Sequence, residues 1–268
     1  MTPTRPIGVF DSGLGGLTVL RALIDLLPDV STVYFGDTGR FPYGSRRGDE
    51  LVAFSRQVAG VLVERDVGLM VVACNSAASV ALDTLQAELD MPVVGVVAPG
   101  LRAAAAATRT GRVGVIGTVG TVASGAYQRS AANIAASENV PAIELTCAAC
   151  PGFVEFVEAG DVDSDQVRVL AERLLEPVRA ADVDTLVLGC THYPLLARTI
   201  GDVMGRGVVL VSSAEETAFE IRRMLPGDHR EGGLVTRSFV TSGAVETFHR
   251  LAARFLGPEV TIVEPWTW

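Results

Sequence analysis

The chain has 268 residues, 49% hydrophobic and 20% charged, enough to bury a sizeable core in one large domain or two smaller ones. Its formal charge of −9, with no basic run beyond Arg46-Arg47 and Arg222-Arg223, argues against nucleic acid as a primary partner. All 22 basic residues are arginine, so neither a pyridoxal phosphate Schiff base nor a P-loop lysine can be built here.

Short apolar runs alternate with segments of helical period, the pattern of βα units around a mostly parallel sheet. Strands are predicted at Ile7–Phe10, Thr32–Phe35, Leu69–Ala73, Val93–Val97, Val113–Ile116, Ala142–Leu145, Thr185–Leu188, Val208–Val211 and Leu234–Val240. Between the first strands, Leu17, Leu20, Ile24 and Leu27 share one helix face, and Leu51, Phe54, Val58 and Val61 share another, so both sets are core stripes. Ser213-Ala214-Glu215-Glu216 predicts a capping box opening a helix to about Leu225, stopped by Pro226-Gly227-Asp228 and followed by a loop through Gly232-Gly233. The longest uncharged stretches, Val67–Leu82 and Val113–Gln128, are 16 residues each, short of the roughly 18 that suggest a membrane span. No charged-then-apolar leader is evident at MTPTRPIGVFDSG, so a cytoplasmic protein with reduced cysteines and no membrane partner is expected.

Two segments recur. Ile7–Val19 is echoed by Val113–Gly125, and Leu69–Ser79 by Thr185–Leu195, in the same order and at comparable spacing. A duplicated α/β unit is the economical reading. The expected architecture is therefore α/β, with two pseudo-symmetric domains, mostly parallel sheets and an active site in the cleft between them. The first domain is expected to be discontinuous, covering 1–98 and 210–268, with 99–209 forming the second.

In open α/β sheets, ligands bind outside the carboxyl ends of the strands. Polar residues gather there: Asp11-Ser12, Asp37, Cys74-Asn75-Ser76, Thr118 and Cys190-Thr191-His192. Any one of them could simply cap the next helix. Cysteine at the matching place of both halves is harder to dismiss. Cys74 and Cys190 each lie between an apolar strand and a polar helix start, where backbone N–H groups and the helix dipole are expected to lower a thiol's pKa.

The remaining thiols, Cys147 and Cys150, have C-x-x-C spacing, which by itself suggests a thioredoxin-like pair only weakly. Metal binding is not expected, because His192, His229 and His249 stand in no ligand-spaced array with it. Asp11-Ser12-Gly13-Leu14-Gly15-Gly16 fails the G-x-G-x-x-G fingerprint. Its N–H groups could hold a carboxylate, while the acid of Asp11 would repel a phosphate but could hold an ammonium group. An amino acid is the ligand this points to. His192, two residues from Cys190, either caps the turn or assists the thiol. Glu158 would ordinarily be solvated. Two thiols on opposed strand ends suit stereoinversion, one base taking a proton from a carbon acid and a second acid returning one to the other face.

These residues bring out a resemblance to the cofactor-independent aspartate/glutamate racemase family, and to its glutamate racemases in particular. It runs from Ile7 to about Pro258 through VFDSGLGGLTVL, YFGDTGRFPYG, ACNSAAS, GVIGT, ACPGFVEFVE, LVLGCTHYPLL and LVSSAEETA. The resemblance implies interconversion of L- and D-glutamate with no cofactor, feeding peptidoglycan synthesis. By the same resemblance Cys74 serves the α-proton of the D-enantiomer and Cys190 that of the L-enantiomer. Asp11, Glu158 and His192 would assist proton transfer. Asp11, Ser12, Tyr43, Gly44, Asn75, Ser76, Thr118, Thr191 and His192 would hold the substrate. Assembly stays open, a homodimer being one alternative. Ser76 replaces the threonine common in the family, and Glu155 stands where many members carry proline. The rival readings are an aspartate or hydantoin racemase, a thiol redox protein using Cys147 and Cys150, and a non-catalytic amino-acid-binding protein.

Overall fold

The computed structural model describes residues 5–138, 142–225, 234–260 and 262–268. The predicted helix stop at Pro226-Gly227-Asp228, the loop at Gly232-Gly233 and His229 lie outside the described residues. The described residues hold ten strands: β1 (Ile7–Asp11), β2 (Thr32–Gly36), β3 (Leu69–Val72), β4 (Val93–Gly95), β5 (Arg112–Gly117), β6 (Glu144–Ala149), β7 (Thr185–Gly189), β8 (Val209–Ser212), β9 (Arg237–Thr241) and β10 (Val263–Pro265). Six form one sheet in the order β10-β9-β2-β1-β3-β4, and four form a second in the order β6-β5-β7-β8. Every pairing among these strands is parallel. Within the larger sheet, β2-β1-β3-β4 repeats the order β6-β5-β7-β8, so the echoes in the sequence correspond to a repeated strand order. After the second sheet the chain returns to add β9 and β10 to the first.

Among the described residues twelve α-helices connect the strands: α1 (Leu17–Leu26), α2 (Gly48–Glu64), α3 (Asn75–Glu88), α4 (Val97–Ala107), α5 (Val119–Ala123), α6 (Ala126–Glu138), α7 (Phe153–Ala159), α8 (Asp165–Leu174), α9 (Glu176–Ala180), α10 (Ala197–Met204), α11 (Ser213–Met224) and α12 (Val245–Leu256). None is long and apolar enough to cross a membrane. Strands β1 to β4 are buried along their whole length, as expected of a parallel sheet covered on both faces, which is why they read as unbroken apolar runs. The second sheet divides its side chains by strand alternation. Val113, Val115 and Val187 join the core of the first unit, while Ile116, Leu186 and Leu188 pack in a separate core with α7, α8 and α10. Helix α11 packs on both α1 and α4 and ties the units together.

Several boundaries differ from expectation. Strand β6 runs Glu144–Ala149, not Ala142–Leu145, because its register is set by pairing with β5 through Thr146, Cys147, Ala148 and Ala149, residues with little strand signal of their own. Strand β4 ends at Gly95, and Val96 already caps α4. β9 begins at Arg237, three residues later than predicted, and the three-residue β10 was not predicted at all. The capping box expected at Ser213 is absent. Ser212 is the cap, and its hydroxyl accepts from the Ala214 N–H at 3.2 Å, because Ser212 has the extended backbone that an N-cap requires.

Candidate active site

Parallel strands point their carboxyl ends the same way, so the residue just past each strand reaches the same edge. In the first sheet these residues are Asp11 at the end of β1, Asp37 after β2 and Cys74 after β3. In the second they are Thr118 after β5, Cys150 after β6 and Cys190 after β7. The two edges face one another across a single cavity, about 610 Å³ counting its open mouth. Ser12, Cys74, Asn75, Ser76, Thr118, Thr191, Cys190 and His192 all line it, as do Tyr43 and Gly44. Close approach of the units is possible because glycines stand at the contacts. A Cβ on Gly15 would lie 2.3 Å from Thr191 Oγ1 and 2.6 Å from His192 Nδ1, and one on Gly44 would lie 2.7 Å from Thr118 Cγ2. The Gly120 N–H donates to the Gly44 carbonyl at 3.1 Å across the same seam.

The two thiols have different surroundings. Cys74 is buried at the N-cap of α3, its Sγ 3.6 Å from Ser12 Oγ. Its thiol was expected to be acidified by the helix start. Instead burial, seconded by the charge of Asp11, pushes its pKa up to about 12, against which the Ala77 and Ser12 hydrogen bonds weigh too little. Cys190 is equally buried but is followed by a 3-10 turn, Tyr193–Leu196, and not by an α-helix, so the expected helix dipole is missing. Its Sγ lies 3.9 Å from His192 Nδ1, and His192 Nε2 lies 2.6 Å from Glu158 Oε1. Burial disfavours the imidazolium, yet the hydrogen bonds to Cys190 and Glu158 and the charges of Cys190 and Asp11 prevail, pushing the His192 pKa up to about 10.

Asp11 and Glu158 do not reach the cavity wall. Asp11 is fully buried; the Gly13 N–H donates to Oδ2 at 2.9 Å and the Thr191 hydroxyl to Oδ1 at 3.3 Å. Desolvation raises its pKa despite the opposing pull of His192. The glycine-rich loop is thus no ligand cradle as expected, because N–H groups of Gly13 and Gly16 are turned on its own carboxylate and only Ser12 faces the cavity. Glu158, on α7, sits behind His192.

Asn75, which lines the cavity, donates from Nδ2 to the Tyr127 hydroxyl at 2.9 Å, while its Oδ1 is buried without a protein partner. Ser76, Thr118 and Thr121 form a hydroxyl cluster, with 3.0 Å between Ser76 and Thr118 and 2.9 Å between Thr118 and Thr121, joining α3 to the start of α5. No arginine lines the cavity among the described residues, and its only acidic side chain is Glu155, exposed at the mouth. Sequence reasoning missed Phe41, whose ring lies 5.9 Å from that of His192, and Cys150, which lines the cavity. The C-x-x-C spacing drew attention to Cys150 for another reason. Cys147 lies inside β6, all four cysteines are free thiols, and burial pushes the Cys150 pKa up to about 12.

Comparison with known proteins follows the same lines. The family profile described as Asp/Glu/Hydantoin racemase matches residues 7–246. A curated glutamate racemase of Mycobacterium leprae (strain TN) is 51% identical over 268 residues, covering 98% of this chain and 96% of that one. Among solved structures, a glutamate racemase isoform of Bacillus anthracis superposes with a TM-score of 0.88 at 38% identity, covering 98% and 97% of the two chains. The glutamate racemase of Francisella tularensis, solved with D-glutamate, gives 0.88 at 29% identity over 98% of each chain.

Proposed function

The chain belongs to the Asp/Glu/Hydantoin racemase family, and from that premise we propose that it interconverts L-glutamate and D-glutamate without a cofactor, using Cys74 and Cys190 as paired acid and base. The observation that carries this reading is that two cysteines, each following the equivalent strand of a repeated unit, line one small cavity. Relatives at about 50% identity bearing the name glutamate racemase favour glutamate over aspartate or a hydantoin.

The α-proton of an amino acid is weakly acidic, so the protein must stabilise the carbanion-like transition state more than the bound zwitterion. His192, its pKa pushed up to about 10, carries a positive charge at neutral pH and stands 3.9 Å from the Cys190 sulfur, the group it would assist. Cys74, held as a neutral thiol, is the matching proton donor. In that resting arrangement Cys190 takes the proton of L-glutamate and Cys74 delivers one to the opposite face, giving D-glutamate. The reverse reaction begins from the opposite protonation of the pair. Asp11 supports the His192 charge from behind, and Glu158 holds the imidazole through Nε2. Asn75, whose Oδ1 has no protein partner, suits the substrate ammonium. The hydroxyls of Ser12, Ser76, Thr118 and Thr191 and the backbone at Tyr43-Gly44 suit its carboxylates. By the family's general role the D-glutamate formed would supply peptidoglycan precursors, in the cytoplasm, where thiols stay reduced.

Each enantiomer, incubated in heavy water with no added cofactor, should gain deuterium at the α-carbon as optical rotation is lost. Tight binding without exchange would leave an amino-acid-binding protein, and faster turnover of aspartate would move the substrate.

A further inference from the structure

Asp37, singled out at a strand end, has no place in the proton transfers, yet it is fully buried and makes four side-chain hydrogen bonds. Its Oδ2 accepts from Arg40 Nε at 2.7 Å and, closely, from the Tyr43 hydroxyl. Its Oδ1 accepts from Ser242 Oγ at 2.6 Å and from Trp268 Nε1 at 3.0 Å. A carboxylate offers about four acceptor positions, and here all are taken. The Arg40 guanidinium carbon also lies 3.7 Å from the Trp268 ring centre and 4.1 Å from that of Phe54, which in turn packs on Tyr43 at 5.6 Å. Trp268 itself rests on Phe35 of β2 at 5.6 Å.

We propose that Trp268 is a positioning residue for the substrate loop: through Asp37 and Arg40 it locks the Tyr43 side chain, and with it the Tyr43-Gly44 backbone that lines the cavity. This rests on the glutamate-racemase reading for its kinetic consequence but not for its structural one. Trp268 is 43% exposed and far along the chain from Tyr43, so its replacement removes one hydrogen bond, the stacking on Arg40 and the ring contacts with Phe35 and Trp266 without opening the core. Tyr43-Gly44 holds the substrate's ground state and transition state alike, so loosening it raises KM and spares kcat.

The test compares wild type, Trp268→Phe and Trp268→Ala in steady-state racemisation of L-glutamate and in amide hydrogen exchange over residues 38–45. Trp268→Ala should raise KM by about threefold to tenfold with kcat within about twofold, and should speed exchange in that segment. Trp268→Phe, which keeps the ring over Arg40 and loses the N–H, should fall between. An unchanged KM accompanied by a lower Tm would make Trp268 merely structural and overturn the proposal, as would a kcat that falls as far as kcat/KM. If wild type fails to racemise glutamate, the functional reading falls, and the exchange measurement alone decides: faster exchange at 38–45 upholds the lock and unchanged exchange overturns it.

Discussion

Cys74 and Cys190 follow corresponding strands of two units with the same strand order, yet each unit treats its thiol differently. Around Cys74 the nearest charge is the buried acid of Asp11 and the nearest polar partner is Ser12, so the proton stays on sulfur. Around Cys190 the neighbour is His192, braced by Glu158 and held cationic. A duplicated backbone therefore presents two equivalent sulfurs, and the side chains around them differ: a buried acid beside Cys74 and a cationic imidazole beside Cys190. A reaction that must lift a proton from one face and deliver it to the other calls for that inequality.

The most severe way to break the comparison is to remove either sulfur. Cys74→Ser and Cys190→Ser should each lower turnover by about three orders of magnitude or more in both directions, since a hydroxyl is a far weaker acid and the pair acts as a unit. Near-normal racemisation in either variant, followed by polarimetry, would remove that residue from the mechanism. Gly15→Ala attacks the seam between the units. Its methyl would press on Thr191 and His192, and activity should drop about a hundredfold with the far-ultraviolet spectrum retained.

Glu158→Gln sharpens the contrast by weakening only the Cys190 side. Loss of the carboxylate charge facing Nε2 should cut turnover about tenfold and bring the alkaline limb of the pH profile to lower pH, because the His192 pKa then falls from about 10. Stability should show the same asymmetry. Folded His192 keeps its proton to about pH 10, while the unfolded chain releases it near 6.5, so its contribution is complete below pH 6.5 and is lost as pH rises towards 10. Folded Cys74 resists ionisation to about 12 against an ordinary 9.0, so its contribution is lost between pH 9 and 12. Urea titrations across pH should find the first window flattened in Glu158→Gln and the second in Cys74→Ala. The smallest effect is expected at the mouth, where the Glu155 carboxylate repels an anionic substrate. Glu155→Gln should lower KM by about twofold at low ionic strength, and the difference should vanish in high salt.

Much of this was legible beforehand, for local reasons. Strands β1 to β4 announce themselves because both faces are buried and every position but Asp11 at the end of β1 is apolar, aromatic or small. The strand-then-cysteine echo located Cys74 and Cys190. Strand β6 was misplaced because Thr146, Cys147, Ala148 and Ala149 become a strand through pairing with β5 and not through their own preference. Phe41 and Cys150 carry no signal for a cavity wall until the two sheet edges meet.

By itself, the order of residues determined the alternation of strand and helix, the duplication, the absence of lysine chemistry and which side chains end the strands, since periodicity and composition act over a few neighbours. Only the tertiary structure decided what those side chains do. A thiol expected to be acidic at a helix start is held protonated, a glycine loop expected to hold a ligand is spent on its own aspartate, and a tryptophan at position 268 bears on a tyrosine at 43. Burial and charge proximity depend on residues far apart along the chain, and they outweigh the local preferences that a sequence displays.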